Sequence, residues 1–272
     1  MTDPADVSLD VSADVRAAYD ASGAAWDNGP RRIYDQLALA LLDRCPVPFD
    51  RATAVDVGAG TGAATSELLR RGARVTAVDL SAGMLQMLQG RDPTAAHLAV
   101  GDVVRLPIRS NAVDIAVAAF VLNHLPQPID ALRELARITR SSGAVLVSVF
   151  GEAPPHPSKD AIDAVARRFG FTAPAWHRRL KDEFEPQTAT PEALAALARQ
   201  AGLADATARV VNIEPTMTDA DLVGWRTGMA HLAPFIATLP AEQAQALADD
   251  ARAAVVGMPP LDIAMITLVA KP

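Results

Sequence analysis

The chain has 272 residues, half of them hydrophobic, with 32 Asp and Glu set against 25 Lys and Arg for a net charge of −7. That composition describes one large globular domain, or one domain with an accessory lobe, and excludes a disordered chain. The acidic balance, with no Lys/Arg cluster, excludes a nucleic-acid partner, and the one cysteine, Cys45, excludes an intramolecular disulfide and a cysteine-based metal site.

The opening residues "MTDPADVSLD" lack the basic start and apolar run of a signal peptide, and no apolar run reaches bilayer-spanning length. The expectation is therefore a cytoplasmic protein with a small-molecule partner, no membrane and no metal. Two helices come first, "SADVRAAYDASGAAWD" and "RRIYDQLALALLDRC", separated by Asn28, Gly29 and Pro30. The second places Ile33, Leu37 and Leu41 on one face. Over 53–150, short β-branched runs then alternate with helical segments. "TAVDV" reads as a strand and "AATSELLRRG" as a helix with Leu68 and Leu69 inward, ended by Gly72. "RVTAVDL" is the second strand. "SAGMLQMLQG" is a helix capped by Ser81, with Met84, Leu85 and Leu88 on one face and Gly90 as its terminator. "AAHLAVGD" and "AVDIAVAAFVL" give the third and fourth strands, "PIDALRELARITRSSG" a helix, and "AVLVSVF" the fifth strand.

Such alternation predicts an α/β, doubly wound, mostly parallel sheet covered on both faces, with its ligand beyond the carboxyl ends of the strands. After the breaker cluster "GEAPPHPS", helical patterns fall at 160–169, 191–201, 220–232 and 241–256. "ATARVVNIEP" and "DIAMITLVAKP" supply two further strands and bring the sheet to seven. The expected organisation is an N-terminal helical cap over 1–48, a cofactor-binding core over 49–152, and over 153–272 the rest of the sheet with an inserted helical lid over a substrate pocket.

Gly58, Gly60 and Gly62 follow the first strand directly, where bare Cα atoms let the backbone turn tightly and approach a ligand. With Ala63 the run reads G-x-G-x-x-A, a permitted dinucleotide fingerprint, and Asp79 closes the second strand where an acidic residue can accept from a ribose diol. These residues point to an adenosine-containing cofactor and leave NAD and S-adenosylmethionine both open.

The ordered set "VDVGAGTG", "VTAVDLSAGML", "GDVVRLP", "VDIAVAAFVLNHL" and "LARITRSSGAVLVSVF" closely resembles the class I S-adenosylmethionine-dependent methyltransferases, in the branch of ubiquinone and menaquinone biosynthesis enzymes and natural-product methyltransferases. The resemblance covers 19–150, recurs weakly in "TPEALAALARQAGL" and the last strand, and implies a Rossmann-like sheet. It implies that the loop of Gly58, Ala59, Gly60 and Gly62 wraps the methionine part of the cofactor, with Asp56 orienting that loop or reaching the ammonium. Asp79 would hold the ribose, Leu80 and Met84 would sandwich the adenine, and Gly101, Asp102 and Val103 would meet its edge. Phe120, by its carbonyl, and Asn123 would lie near the ammonium, and Tyr19 would close over the cofactor. The loop has no Lys or Arg, as suits a ligand without phosphate. S-adenosylhomocysteine would be the product.

Methyl transfer from a sulfonium needs alignment and exclusion of water, and a base only where the acceptor must lose a proton. His124 beside the expected methyl site, His231 in the lid and Tyr19 are the candidates for acceptor chemistry, each also readable as packing. His156 and His177 are weaker ones. Trp176, Trp225, Met229, Phe235 and Met258 offer the lid an apolar supply, which points to an apolar or aromatic acceptor, handled by a monomer or homodimer. Two competing readings stand beside this one. The first is a protein that binds the cofactor without transferring methyl, as a cyclase or binding module. The second is an NAD-dependent oxidoreductase, for which no Tyr-x-x-x-Lys pair is found.

Overall fold

The computed structural model describes residues 4–91, 96–152 and 156–272. Ala95, at the start of the expected third strand, and Ala153, Pro154 and Pro155 of the breaker cluster lie outside them. Two helices, α1 (Pro4–Asn28) and α2 (Arg31–Leu42), precede the sheet. Strands β1 (Thr53–Val57), β2 (Arg74–Asp79), β3 (Ala96–Val100) and β4 (Val113–Ala119) alternate with α3 (Ala63–Arg70) and α4 (Ala82–Arg91), and α5 (Pro128–Ile138) leads into β5 (Thr139–Phe150). The remainder runs α6 (Pro157–Arg168), α7 (Ala175–Arg179), α8 (Pro191–Gln200), β6 (Ala204–Ile213), α9 (Asp219–Thr227), α10 (Ala233–Thr238), α11 (Ala241–Val255) and β7 (Ile263–Lys271).

The seven strands stand in the order β3-β2-β1-β4-β5-β7-β6, parallel except where antiparallel β7 pairs with β5 and β6. This is the doubly wound, mostly parallel α/β sheet that the alternation predicts. The strand order reverses between β1 and β4, so their carboxyl ends diverge into a crevice. Central strands are buried on both faces: Val55, Ile115, Ala116, Val117, Val145 and Leu146 are fully inaccessible. Leu132, Leu135 and Ile138 of α5 pack on one face of the sheet, and Leu68 of α3 with Leu41 and Leu42 of α2 on the other. Gly72, at φ +90°, ends α3 as expected, and Ser81 caps α4 by accepting from the Met84 amide at 3.1 Å.

Four elements differ from the sequence reading. Helix α5 stops at Ile138 rather than running to Gly143, because Thr139 turns to extended backbone and pairs with Val113. The register then shifts so that Ile115 meets Ala144, and residues 140–143 bulge out of the ladder. Gly143 passes so close that a Cβ there would stand 2.5 Å from the Asp114 carbonyl oxygen. The expected helix over 220–232 stops at Thr227, because Gly228 is pressed against Pro30 and the Ala25 carbonyl, and a separate helix starts only at Ala233, with Pro234 in its first turn. Helix α4 runs through Gly90 to Arg91. The segment 175–188, read without regular structure, forms α7, a π-helical turn (Leu180–Phe184) and a 3-10 turn (Glu185–Thr188).

Helices α6, α9 and α11 pack with α2 over the carboxyl ends of β4 and β5. They bury Ile162, Val165, Leu222, Trp225 and Leu247 together with Ile33, Leu37, Phe120 and Met265. A second cluster joins Trp26 and Tyr19 of α1 to Trp176, Leu180 and Phe184. The N-terminal helices thus enclose the crevice from one side and the late helices from the other.

Candidate functional site

Every segment that leaves the carboxyl edge of β1 to β4 contributes to one cavity of about 1250 Å³, open to solvent. The chain leaves β1 through Gly58 at φ +68° and Gly60 at φ +56°, left-handed backbone that glycine adopts without strain. At Gly58 a Cβ would overlap Val121, whereas at Gly60 it would meet no protein atom within 4 Å. Gly60 therefore presents a bare Cα to the open cavity, as a ligand lying along the loop requires. Asp79 fixes this loop: one carboxylate oxygen accepts from the Gly60 amide at 2.7 Å and the other from the Ser81 amide at 2.8 Å. Burial raises the Asp79 pKa above the usual carboxylate range despite these bonds. Asp56, 1% exposed, accepts from the Thr65 hydroxyl at 2.6 Å, and burial pushes it up to about 6, with the Asp79 charge adding to the rise.

The loop is also held from outside. Arg31 on α2 is buried and donates to the Thr61 carbonyl at 2.5 Å and to the Ser66 hydroxyl at 3.2 Å, with Asp35 at 3.3 Å and Asp27 at 3.8 Å balancing its charge. From the other side, Asp20 on α1 accepts from the Ser81 hydroxyl at 2.6 Å and the Gly83 amide at 3.0 Å, which locks α1 onto the start of α4. Sequence reasoning missed both. The only signal for Arg31 was its place at the start of an amphipathic helix.

Of the expected site residues, Tyr19, Asp56, Gly58, Ala59, Gly60, Asp79, Leu80, Met84, Gly101, Asp102, Val103, Phe120 and His124 all line this cavity. Gly62 does not. It caps α3 at φ +93° with Leu88 packed against its Cα, so its bareness lets α3 and α4 approach each other and does not admit a ligand. Met84 is 1% exposed and does both jobs, packing among Trp26 and Trp176 while reaching the cavity wall. Phe120 stands at φ +59°, just past β4, and its ring packs against Phe150 at 4.5 Å with the planes tilted by 39° and meets Tyr34 edge-on at 5.2 Å.

Asn123 and His231 lie outside the first cavity and line a smaller one, about 450 Å³ with the space open to solvent included, under the late helices. Tyr19, Tyr34 and His124 belong to both walls, so the two spaces adjoin through these three side chains. The Tyr19 hydroxyl is 3.4 Å from His124 Nε2, their rings edge-on at 5.7 Å. Burial raises the Tyr19 pKa well above its ordinary value and lowers His124 to about 4, so both are neutral near pH 7. His177 falls to about 4 and His231 to about 2, first through burial and then through cationic neighbours. Trp176 and Met229 join this wall, as the lid reading expected, while Trp225, Phe235 and Met258 pack in the core behind it. Lys181, Glu185 and Arg226 add charge that the sequence reading did not anticipate for an apolar pocket. His156 is structural: it accepts from the Ser158 amide at the start of α6 and bonds the Pro260 carbonyl at 3.0 Å.

A glycine loop after β1, an acidic residue closing β2, a crevice at the strand-order switch and an adjoining cavity under helices define a nucleoside-cofactor enzyme of the doubly wound class. A methyltransferase-domain family model matches residues 55–147. The demethylmenaquinone methyltransferase of Thermobifida fusca is 31% identical over 208 residues, 74% of this chain and 84% of that protein. The chain belongs to the S-adenosylmethionine-dependent methyltransferases, and S-adenosylmethionine is its cofactor. The biotin biosynthesis bifunctional protein BioHC of Cellvibrio japonicus is 35% identical over 111 residues, of which the chain spans 41% of its own length and 22% of that protein's. Among solved structures, a phosphoethanolamine N-methyltransferase of Haemonchus contortus in complex with S-adenosyl-L-methionine superposes with a TM-score of 0.56 at 17% identity, over 87% of this chain and 52% of that one, a likeness of fold.

Proposed function

We propose that this chain transfers the cofactor's methyl group to a small molecule held in the cavity under the late helices. The observation that carries this reading is that Tyr19, Tyr34 and His124 line both cavities, so an acceptor in the smaller one lies next to the cofactor in the larger. The bound cofactor supplies an electrophilic methyl group on a sulfonium. The protein's share is alignment and shielding. The loop of Gly58, Ala59 and Gly60 would carry the methionine part, with Asp56 toward its ammonium. Asp79 keeps acceptor capacity for a ribose diol beyond its two backbone bonds, and Leu80, Met84, Asp102 and Val103 would take the adenine. The rings of Tyr19, Tyr34 and Phe120 can face a cationic centre.

His124 is neutral and weakly basic, so it suits hydrogen bonding to the acceptor better than removal of a proton from it. Nδ1 of His124 and Oδ1 of Asn123 are buried without partners, which leaves them free for a polar acceptor group. The demethylmenaquinone methyltransferase relative supports a quinone-type or secondary metabolite as acceptor, with the rings of Tyr34 and Phe150 as an apolar floor. The acidic chain, without a helix among the described residues long and apolar enough to cross a membrane, supports work in the cytoplasm without nucleic acid, and a monomer or homodimer belongs to the same proposal. The division into a cap over 1–48, a core over 49–152 and a lid-bearing remainder over 153–272 belongs to the same proposal.

The test is calorimetry with S-adenosylhomocysteine, followed by incubation with methyl-labelled S-adenosylmethionine and a panel of quinols, phenols and carboxylic acids. Micromolar binding and label transfer support the reading. Absence of S-adenosylhomocysteine binding ends it.

A further inference from the structure

The smaller cavity carries a charge pattern that an apolar acceptor does not need. Lys181, on the π-helical turn, Arg226, at the end of α9, and His231, just beyond it, line it together with His177 of α7. Lys181 is paired to Glu185 at 2.8 Å, and Arg226 to Asp163 through two bonds of 2.6 and 2.7 Å. A third cation, Lys159 on α6, sits 5.3 Å over the Trp225 ring with no carboxylate within 4 Å among the described residues. Lys181 and Arg226 at the wall, with the charges of Lys159 and Arg178 behind it, thus outnumber the carboxylates Glu185 and Asp163.

The surplus is felt inside the cavity. Arg226 and Lys181 both depress the neighbouring histidines, and they join burial in lowering Lys159 to about 8. His231 is 6% exposed and its Nε2 has no partner, an unused buried hydrogen-bonding group in a region of positive potential. The His231 and His177 rings meet edge-on at 3.9 Å, so both imidazoles face the same small space.

We propose that this cavity receives an acceptor bearing a carboxylate, held by Lys181 and Arg226 with His231 donating from Nε2. The excess of cations suits an anion, whereas Glu185 and Asp163, which stay in place beside it, disfavour a dianion. Asp163 occupies Nε and Nη2 of Arg226, which leaves Nη1 to donate to an acceptor oxygen while Lys181 supplies the second contact. The reactive atom of the acceptor then lies toward Tyr19 and His124, on the cofactor's side. This assignment rests on the methyl-transfer reading.

The experiment uses protein saturated with S-adenosylhomocysteine and compares 4-hydroxybenzoate with 4-hydroxybenzamide by calorimetry, with phenyl phosphate as the dianionic control. The carboxylate is expected to bind at least tenfold more tightly than the amide and more tightly than the phosphate. Lys181→Gln and Lys159→Gln, at sites half-exposed and partly exposed, are each expected to cut that preference about threefold or more while S-adenosylhomocysteine affinity is kept. Equal binding of carboxylate and amide, binding of neither at millimolar concentration, or a preference unchanged in both variants overturns the proposal. Tighter binding of phenyl phosphate also overturns it. Failure of S-adenosylhomocysteine to bind at the outset would instead fall on the methyl-transfer reading itself.

Discussion

Asp56 is a carboxylate placed where folding alone disfavours it. It is 1% exposed, holds one hydroxyl bond from Thr65, and is pushed from 3.8 to about 6 chiefly by burial. An acid whose folded pKa exceeds its unfolded one binds its proton more tightly when folded, so stability falls as pH rises from about 4 to about 6 and stays reduced above that. At 1.36 kcal/mol per pKa unit the shift corresponds to roughly 3 kcal/mol of destabilisation at pH 7.5. Asp56→Asn removes the charge and keeps a carbonyl oxygen to accept from Thr65. The ligand-free variant should therefore be about 1–3 kcal/mol more stable than the native protein at pH 7.5, several degrees in Tm at roughly 2–4 °C per kcal/mol for a chain of this size.

The gain should shrink to about a third at pH 4.5, where native Asp56 is protonated but the unfolded chain's is still largely ionised. Thermal unfolding of both proteins at the two pH values is the assay. A variant less stable at pH 7.5, or a gap of the same size at both pH values, would refute the reasoning. Because Asp56 is also assigned to the cofactor's ammonium, the same substitution should weaken S-adenosylhomocysteine binding tenfold or more, about the worth of a charge-assisted bond. Stability and binding then move in opposite directions, as expected where a buried charge is kept for function.

Asp79→Ala removes the acceptor for the Gly60 and Ser81 amides as well as the proposed ribose contact, so S-adenosylhomocysteine affinity by calorimetry should fall tenfold to a hundredfold. Gly60→Ala and Gly62→Ala should separate ligand approach from packing. The first, beside open space, should weaken cofactor binding at a cost of about 1 kcal/mol for left-handed backbone, while the second, against Leu88, should cost about 2 kcal/mol or more in urea unfolding. Tyr19→Phe and His124→Ala should lower kcat while S-adenosylhomocysteine affinity stays within a few-fold. With cofactor and acceptor saturating, kcat should show no histidine titration between pH 6 and 8, since His124, His177 and His231 are all neutral across that range. A titration near pH 6.5 in kcat would contradict this account.

The crevice was readable from the sequence because its parts are local: glycines follow one strand directly, Asp79 ends the next, and each motif fixes its own backbone. The α/β alternation over 53–150 was equally legible, since β-branched runs and helical periods differ in period. Where apolar pattern and backbone pairing disagreed, pairing won: Thr139 entered the sheet against Val113 although residues 128–143 read as one helix. Packing of Gly228 against Pro30 likewise ended at Thr227 a helix whose pattern ran on to Leu232. The second cavity was the least legible, because Tyr34, His124, Lys181 and Arg226 meet there only through tertiary packing of α2, the loop after β4, a π-helical turn and α9. Lys181 in "RRLKDEFEP" and Arg226 in "GWRTG" look like surface charges, and only their convergence on His177 and His231 distinguishes them.

Methyl transfer requires the reactive end of the cofactor to point at the acceptor, and a crystal structure with S-adenosylhomocysteine bound measures that directly. It should show the amino-acid tail along the loop of Gly58 and Gly60, the ribose on Asp79, and the sulfur facing the opening between Tyr19, Tyr34 and His124. A sulfur directed away from those three side chains, or a ligand seated elsewhere in the molecule, would contradict it.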